Sequence, residues 1–127
     1  MRSPDHTRRV VVTGLGVVSS VGNDVATAWA SLTEGRSGLA ELTRFDVSGY
    51  DHKAGGEVKD FDPSAWMDPK AVRRSEREMH YGVAAAKQAL ADSGFEVNDA
   101  NRTEVGVVFG SGAGGQQLMI ENFTTLV

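Results

Sequence analysis

No cysteine occurs among the 127 residues. Its absence excludes a disulfide scaffold, a thiolate metal site and a cysteine nucleophile within this stretch. A basic excess is missing as well: 13 Lys and Arg stand against 17 Asp and Glu, a net charge of −4. A nucleic-acid or anionic-membrane binder would carry the opposite balance. No apolar run approaches the roughly 18 residues of a membrane span. The polar stretch Met1–Arg9 gives way to three valines and then Gly14, which is too short for a signal-peptide core. A soluble intracellular protein is the default expectation. No pair of histidines among His6, His52 and His80 has metal-ligand spacing, so no metal site is expected.

Glycine is present in excess. The chain has 15, where average usage of about 7% would give roughly nine. With 40% hydrophobic and 24% charged residues, wholesale disorder is not expected. Residues 1–8 read as a disordered or tag-like lead. Val10-Val11-Val12 lacks alternation and predicts a strand buried on both faces. Asn23 suits an N-cap for a helix to about Glu34, closed by Gly35, with Val25, Trp29 and Leu32 facing the core. Gly56–Lys59 has room for a short strand. Asp62-Pro63 and Asp68-Pro69 both have the cap-then-proline form that starts helices. The first opens a single turn. The second opens the longest helix, about 69–93, with Val72, Met79, Val83, Ala86 and Leu90 as its apolar stripe. Gly82 lies inside that helix at a cost of about 1 kcal/mol against alanine, which a close approach of neighbouring structure would offset. Glu104–Phe109 predicts a second strand, and Gln116–Thr125 a final helix carrying Leu118, Met119, Ile120 and Phe123. This order predicts an α/β protein with a parallel sheet. Two strands are few for such a sheet, so these residues are expected to form part of a larger fold.

Two constellations suggest chemistry. Gly110, Gly112 and Gly115 satisfy G-x-G-x-x-G between a strand and a helix, the context of a nucleotide-binding turn. A tight turn allowing close backbone packing is the commoner reading of such a loop. Lys70, Arg73, Arg74 and Arg77 fall at i, i+3, i+4 and i+7, one face of the predicted long helix. Cations near a helix start oppose its dipole, which points to an acidic partner. The alternative is a solvated face, with Arg74 and Glu78 paired across one turn.

Several segments, in order, resemble the β-ketoacyl-[acyl-carrier-protein] synthases, the type II condensing enzymes. The likeness begins with Arg8-Arg9-Val10-Val11-Val12-Thr13-Gly14-Leu15-Gly16, Ser19 and Val21-Gly22-Asn23. It continues through Trp29, Gly35-Arg36-Ser37-Gly38, Phe45-Asp46-Val47-Ser48-Gly49-Tyr50 and Val58-Lys59-Asp60-Phe61-Asp62-Pro63. Tyr81-Gly82, Asp92-Ser93-Gly94 and the Gly110–Gly115 turn complete it. Ser75 to Glu78 is more polar than the family usually shows.

The resemblance implies a thiolase-like fold, an α/β αβαβα layered sandwich of two similar halves. Residues 9–127 would be the beginning of the first half, inactive and poorly folded alone. It implies a cytoplasmic, usually homodimeric acyltransferase that needs no cofactor and takes acyl and malonyl thioesters of acyl-carrier protein. In the family's reaction an acyl chain moves to a cysteine at a helix start. Malonyl-carrier protein loses CO2, and the resulting carbanion attacks the acyl-cysteine. Two histidines stabilise the enolate, and backbone N–H groups form an oxyanion hole. That cysteine and those histidines match no position here, so no catalytic residue carries over. Two roles do. The turn Gly112-Ala113-Gly114 would line the acyl pocket, with Ala113 at a position where a bulkier aliphatic residue is common. Lys70, Arg73 and Arg74 would meet the acidic carrier protein. A non-catalytic relative of chain-length-factor type and a nucleotide-binding module are the competing readings.

Overall fold

Short-range capping explains most of the helices in the computed structural model. It describes residues 9–126, without the side chains of Gln117, Leu118 and Leu126. The expected lead over residues 1–8, His6 and Val127 lie outside the described residues, as does the Leu118 side chain expected on the last helix. Helix α1 spans Val25–Thr33 and is capped by Asp24, whose Oδ1 accepts the Thr27 amide at 2.8 Å. The cap is therefore one residue later than Asn23. Asn23 is used elsewhere: its Nδ2 donates to the Lys59 carbonyl at 2.7 Å, and its carbonyl accepts Gln88 Nε2 at 2.8 Å. Asp62-Pro63 starts one 3-10 turn, Pro63–Ala65, as the sequence predicts. Asp68-Pro69 starts helix α2, in which Asp68 Oδ1 accepts the amides of Lys70 and Ala71, both at 3.0 Å.

The predicted long helix is two helices. α2 ends at Arg73, and α3 runs Arg77–Ser93 to Gly94. Between them Glu76 is extended, with ψ 169°. The freed carbonyl ends of α2 are met by side chains, as helix ends require. Ser75 Oγ donates to the Ala71 carbonyl at 2.7 Å, and His80 Nε2 donates to the Val72 carbonyl at 3.2 Å. A last helix, α4, spans Gln116–Leu126.

Strand β1, Ala40–Glu41, pairs antiparallel with β2, Ala54–Gly55, in register Ala40 to Gly55 and Glu41 to Ala54. This is the one sheet among the described residues. The short strand thus precedes Gly56–Lys59, and among the described residues no strands pair in parallel as expected. Val10–Val12 and Val105–Phe109 are irregular and exposed, with Val10 91% and Val108 97% accessible. A strand is an exchange of ladder hydrogen bonds with a neighbour, and neither segment has that neighbour here.

Val105–Phe109 and the stretch just after Val12 nonetheless border α3. Gly14 and Gly16 press onto it, so close that a methyl group on Gly16 would overlap the Ala85 carbonyl and sit 2.8 Å from the Ala89 nitrogen. Amides of this segment are taken by α3 side chains: Leu15 N–H by Asp92 Oδ2 at 2.8 Å and Val17 N–H by Gln88 Oε1 at 3.2 Å. Val83, Ala86 and Leu90 line an apolar groove of about 680 Å³ that Val105–Phe109 and Thr13 also border. Gly82 is explained by the same packing, since a methyl there would meet the Phe109 ring at 2.9 Å.

Among the described residues Ala28, Val47 and Ala84 are the buried apolar ones. Trp29, expected in the core, is 67% exposed, because the inward side of α1 at this point belongs to Ala28, one residue and about 100° earlier. Val10–Val12 and Val107–Phe109 leave apolar side chains exposed in runs, the kind of surface that further protein covers.

Candidate functional site

The glycine turn is built between Phe109 and the start of α4. Gly112, Ala113 and Gly114 are exposed. Gly115 has φ +83°, a left-handed conformation glycine adopts without steric cost. Its N–H donates to Glu78 Oε1 at 2.8 Å, across 37 residues of chain. Glu78 lies in the first turn of α3. Its carboxyl is held below the ordinary glutamate range, first by a bond from its own amide and then by that of Gly115. Beneath the turn, Met79, Gly82, Val83, Phe109, Gly110 and Ser111 line an apolar cavity of about 400 Å³ with Glu78 at its edge.

Spacing along an unbroken helix suggests Arg74 as the partner of Glu78. The break at residues 74–76 takes the two out of helical register, and Glu78 turns to Gly115 instead. This contact also counts against a phosphate at the turn. A carboxylate already accepts the Gly115 amide, and its charge would repel a second anion.

The basic constellation is also divided by the break. Lys70 and Arg73 are exposed on α2, with Arg74 exposed at its C-cap. Arg77 belongs to α3 and is half-buried. It borders a different cleft, about 710 Å³, with Arg44, Glu57, Lys59, Asp62 and Tyr81. In that cleft Glu57 accepts from the Thr43 amide at 3.1 Å, the Thr43 hydroxyl at 2.9 Å and the Arg44 amide at 3.2 Å. Burial raises its carboxyl pKa, but these bonds outweigh it and the net shift is downward. Tyr81 packs edge-on to Phe61 at 5.0 Å, and burial raises its phenol. Nothing in residue type or spacing marks Arg44, Glu57 and Tyr81 as neighbours. His80 serves the α2–α3 junction, with Nε2 also 3.1 Å from Ser75 Oγ, and His52 is exposed. The described residues hold no cluster of three metal-ligating side chains.

The family model described as "Beta-ketoacyl synthase, N-terminal domain" matches residues 7–126. The chain belongs to that family. Three curated relatives, all named 3-oxoacyl-[acyl-carrier-protein] synthase 2, align over 120 residues. They are from Coxiella burnetii at 43% identity, Vibrio harveyi at 44% and Synechocystis at 42%. Each alignment covers 94% of this chain and 29% of the relative. The chain thus spans under a third of the length of the curated relatives it matches. A solved structure, "The ishigamide ketosynthase/chain length factor", is similar with a TM-score of 0.65 and 43% identity, over 70% of this chain and 22% of that one. The fold class is thiolase-like α/β, and the described residues form one part of it. Among the described residues, no helix is long and apolar enough to cross a membrane.

Proposed function

We propose that this chain serves decarboxylative condensation between an acyl thioester and malonyl-acyl-carrier protein, the activity of a 3-oxoacyl-[acyl-carrier-protein] synthase, in fatty-acid or polyketide elongation. The observation that carries this reading is the match in register to three such synthases over 94% of the chain. Residues 9–127 make up the first portion of a ketosynthase half. The protein works in the cytoplasm as a homodimer without a cofactor. Since these residues contain no cysteine, the nucleophile is supplied from outside them, as are the histidines that stabilise the enolate. Two parts of the work fall to this stretch. Gly112, Ala113 and Gly114 border the acyl pocket, and the small Ala113 side chain leaves its entrance wide. Lys70, Arg73 and Arg74 receive the acidic carrier protein. Their exposure on a short helix supports this role, because an on-rate gains from unpaired charge facing an oppositely charged partner.

The test is made on the whole protein with acyl- and malonyl-carrier protein. Release of CO2 with a 3-oxoacyl product two carbons longer supports the reading, together with one cysteine blocked by iodoacetamide in parallel with activity. A second reading is favoured by one observation, the likeness to a ketosynthase/chain length factor. A chain-length-factor-like relative would bind its partners yet show neither product nor a reactive cysteine.

A further inference from the structure

We propose that Glu78 is a positioning residue for the glycine turn, pinning the Gly115 amide and so fixing where Ala113 stands. The inference rests on the reading of that turn as the border of an acyl pocket. The turn cannot hold itself in place. Of its six residues, four are glycines, which resist ordering more than any other residue. Restraint must come from outside, and the structure supplies it through Glu78. Glu78 Oε1 accepts the Gly115 N–H at 2.8 Å. A carboxylate there also faces the start of the eleven-residue helix α4, a favourable place for negative charge. Gly114 is close to the same carboxylate: a methyl there would lie 3.2 Å from Glu78 Oε1 and 2.9 Å from Ser111 Oγ. Gly112 and Ala113 lie just before these two contacted glycines. The carboxylate is itself well seated. Glu78 belongs to the first turn of α3, and its neighbours Met79, Gly82 and Val83 line the apolar cavity under the turn. Position 78 thereby couples the α3 surface to the residue at the pocket entrance.

The experiment compares Glu78→Ala, the isosteric Glu78→Gln and the adjacent Arg77→Ala in the whole protein, with two readouts. The first is amide hydrogen exchange at residues 110–117, which needs no activity. Loss of a charge-assisted bond accelerates exchange at Gly115 about tenfold in Glu78→Ala. Glu78→Gln, which keeps an oxygen acceptor, falls between it and wild type, and Arg77→Ala leaves exchange unchanged. The second readout is the KM for short against long acyl thioesters. Glu78→Ala changes the ratio of these KM values with little change in kcat, and Glu78→Gln restores it in part. Unchanged exchange in Glu78→Ala overturns the proposal, as does equal acceleration in Arg77→Ala, which would mean that α3 had merely loosened. Accelerated exchange with an unchanged KM ratio also overturns it. If wild type condenses nothing, the acyl-pocket reading fails, and the exchange comparison alone decides whether Glu78 holds the turn.

Discussion

Replacing Gly16 by alanine probes the contact on which the arrangement around α3 depends. The added methyl overlaps the Ala85 carbonyl and lies 2.8 Å from both the Ala85 carbonyl carbon and the Ala89 nitrogen. These are backbone atoms in mid-helix, so they cannot rotate away as a side chain would. The segment must lift from α3, and overpacking of this kind costs about 1–3 kcal/mol. Lifting also strains two bonds along the same edge, from Leu15 to Asp92 and from Val17 to Gln88. At about 1 kcal/mol each, less for the exposed one, the total comes to roughly 3 kcal/mol. That corresponds to about two orders of magnitude in the unfolding equilibrium. The control is Gly49→Ala, where no atom lies within 4 Å of the new methyl. That change should stay within about 0.5 kcal/mol of wild type. Urea denaturation followed by tryptophan fluorescence measures both, and hydrogen exchange at Leu15 and Val17 locates the loss. If Gly16→Ala and Gly49→Ala unfold at the same urea concentration, the segment does not pack on α3 as described.

Three further outcomes are expected of the whole protein. Reversing Arg73 and Arg74 to glutamate should raise the KM for carrier protein about 3- to 10-fold, more at low salt than at high. An unchanged KM would reject the contact. Ala113→Ile should narrow the pocket entrance and shift preference toward shorter acyl chains, and an unchanged preference would remove Ala113 from the pocket. The Glu78 carboxyl is held below its ordinary value of 4.5, so its bonds favour the ionised, folded form. The stabilisation is present above that ordinary value and is lost as pH falls through the lower folded value. Protection of the Gly115 amide should therefore persist at neutral pH and fade on acidification below about 4.5. In Glu78→Gln this pH dependence should disappear, and its persistence would assign the titration to another group.

What the sequence by itself determined was local in range or repeated in order. Asp62-Pro63 and Asp68-Pro69 mark helix starts because their capping bonds reach only two or three residues ahead. Gly94 closes α3 for an equally local reason, its left-handed backbone. Gly82 implied a close neighbour, and the neighbour proved to be Phe109. Family membership was legible because many short motifs fall in one register, although each is weak alone. The remainder was decided in three dimensions. Helical spacing from Lys70 to Arg77 assumes continuity, yet the chain breaks at residues 74–76, where Ser75 and His80 side chains satisfy the carbonyls of α2. Only that break separates Arg77 from Arg74 and frees Glu78 to reach Gly115. The valine segments have strand-like composition, but a ladder needs a partner that composition cannot provide. Capping energies act within one turn of chain, whereas the contacts that build the site join residues 37 apart for Glu78 and Gly115 and 71 apart for Val17 and Gln88. At such separations, packing chooses the partner.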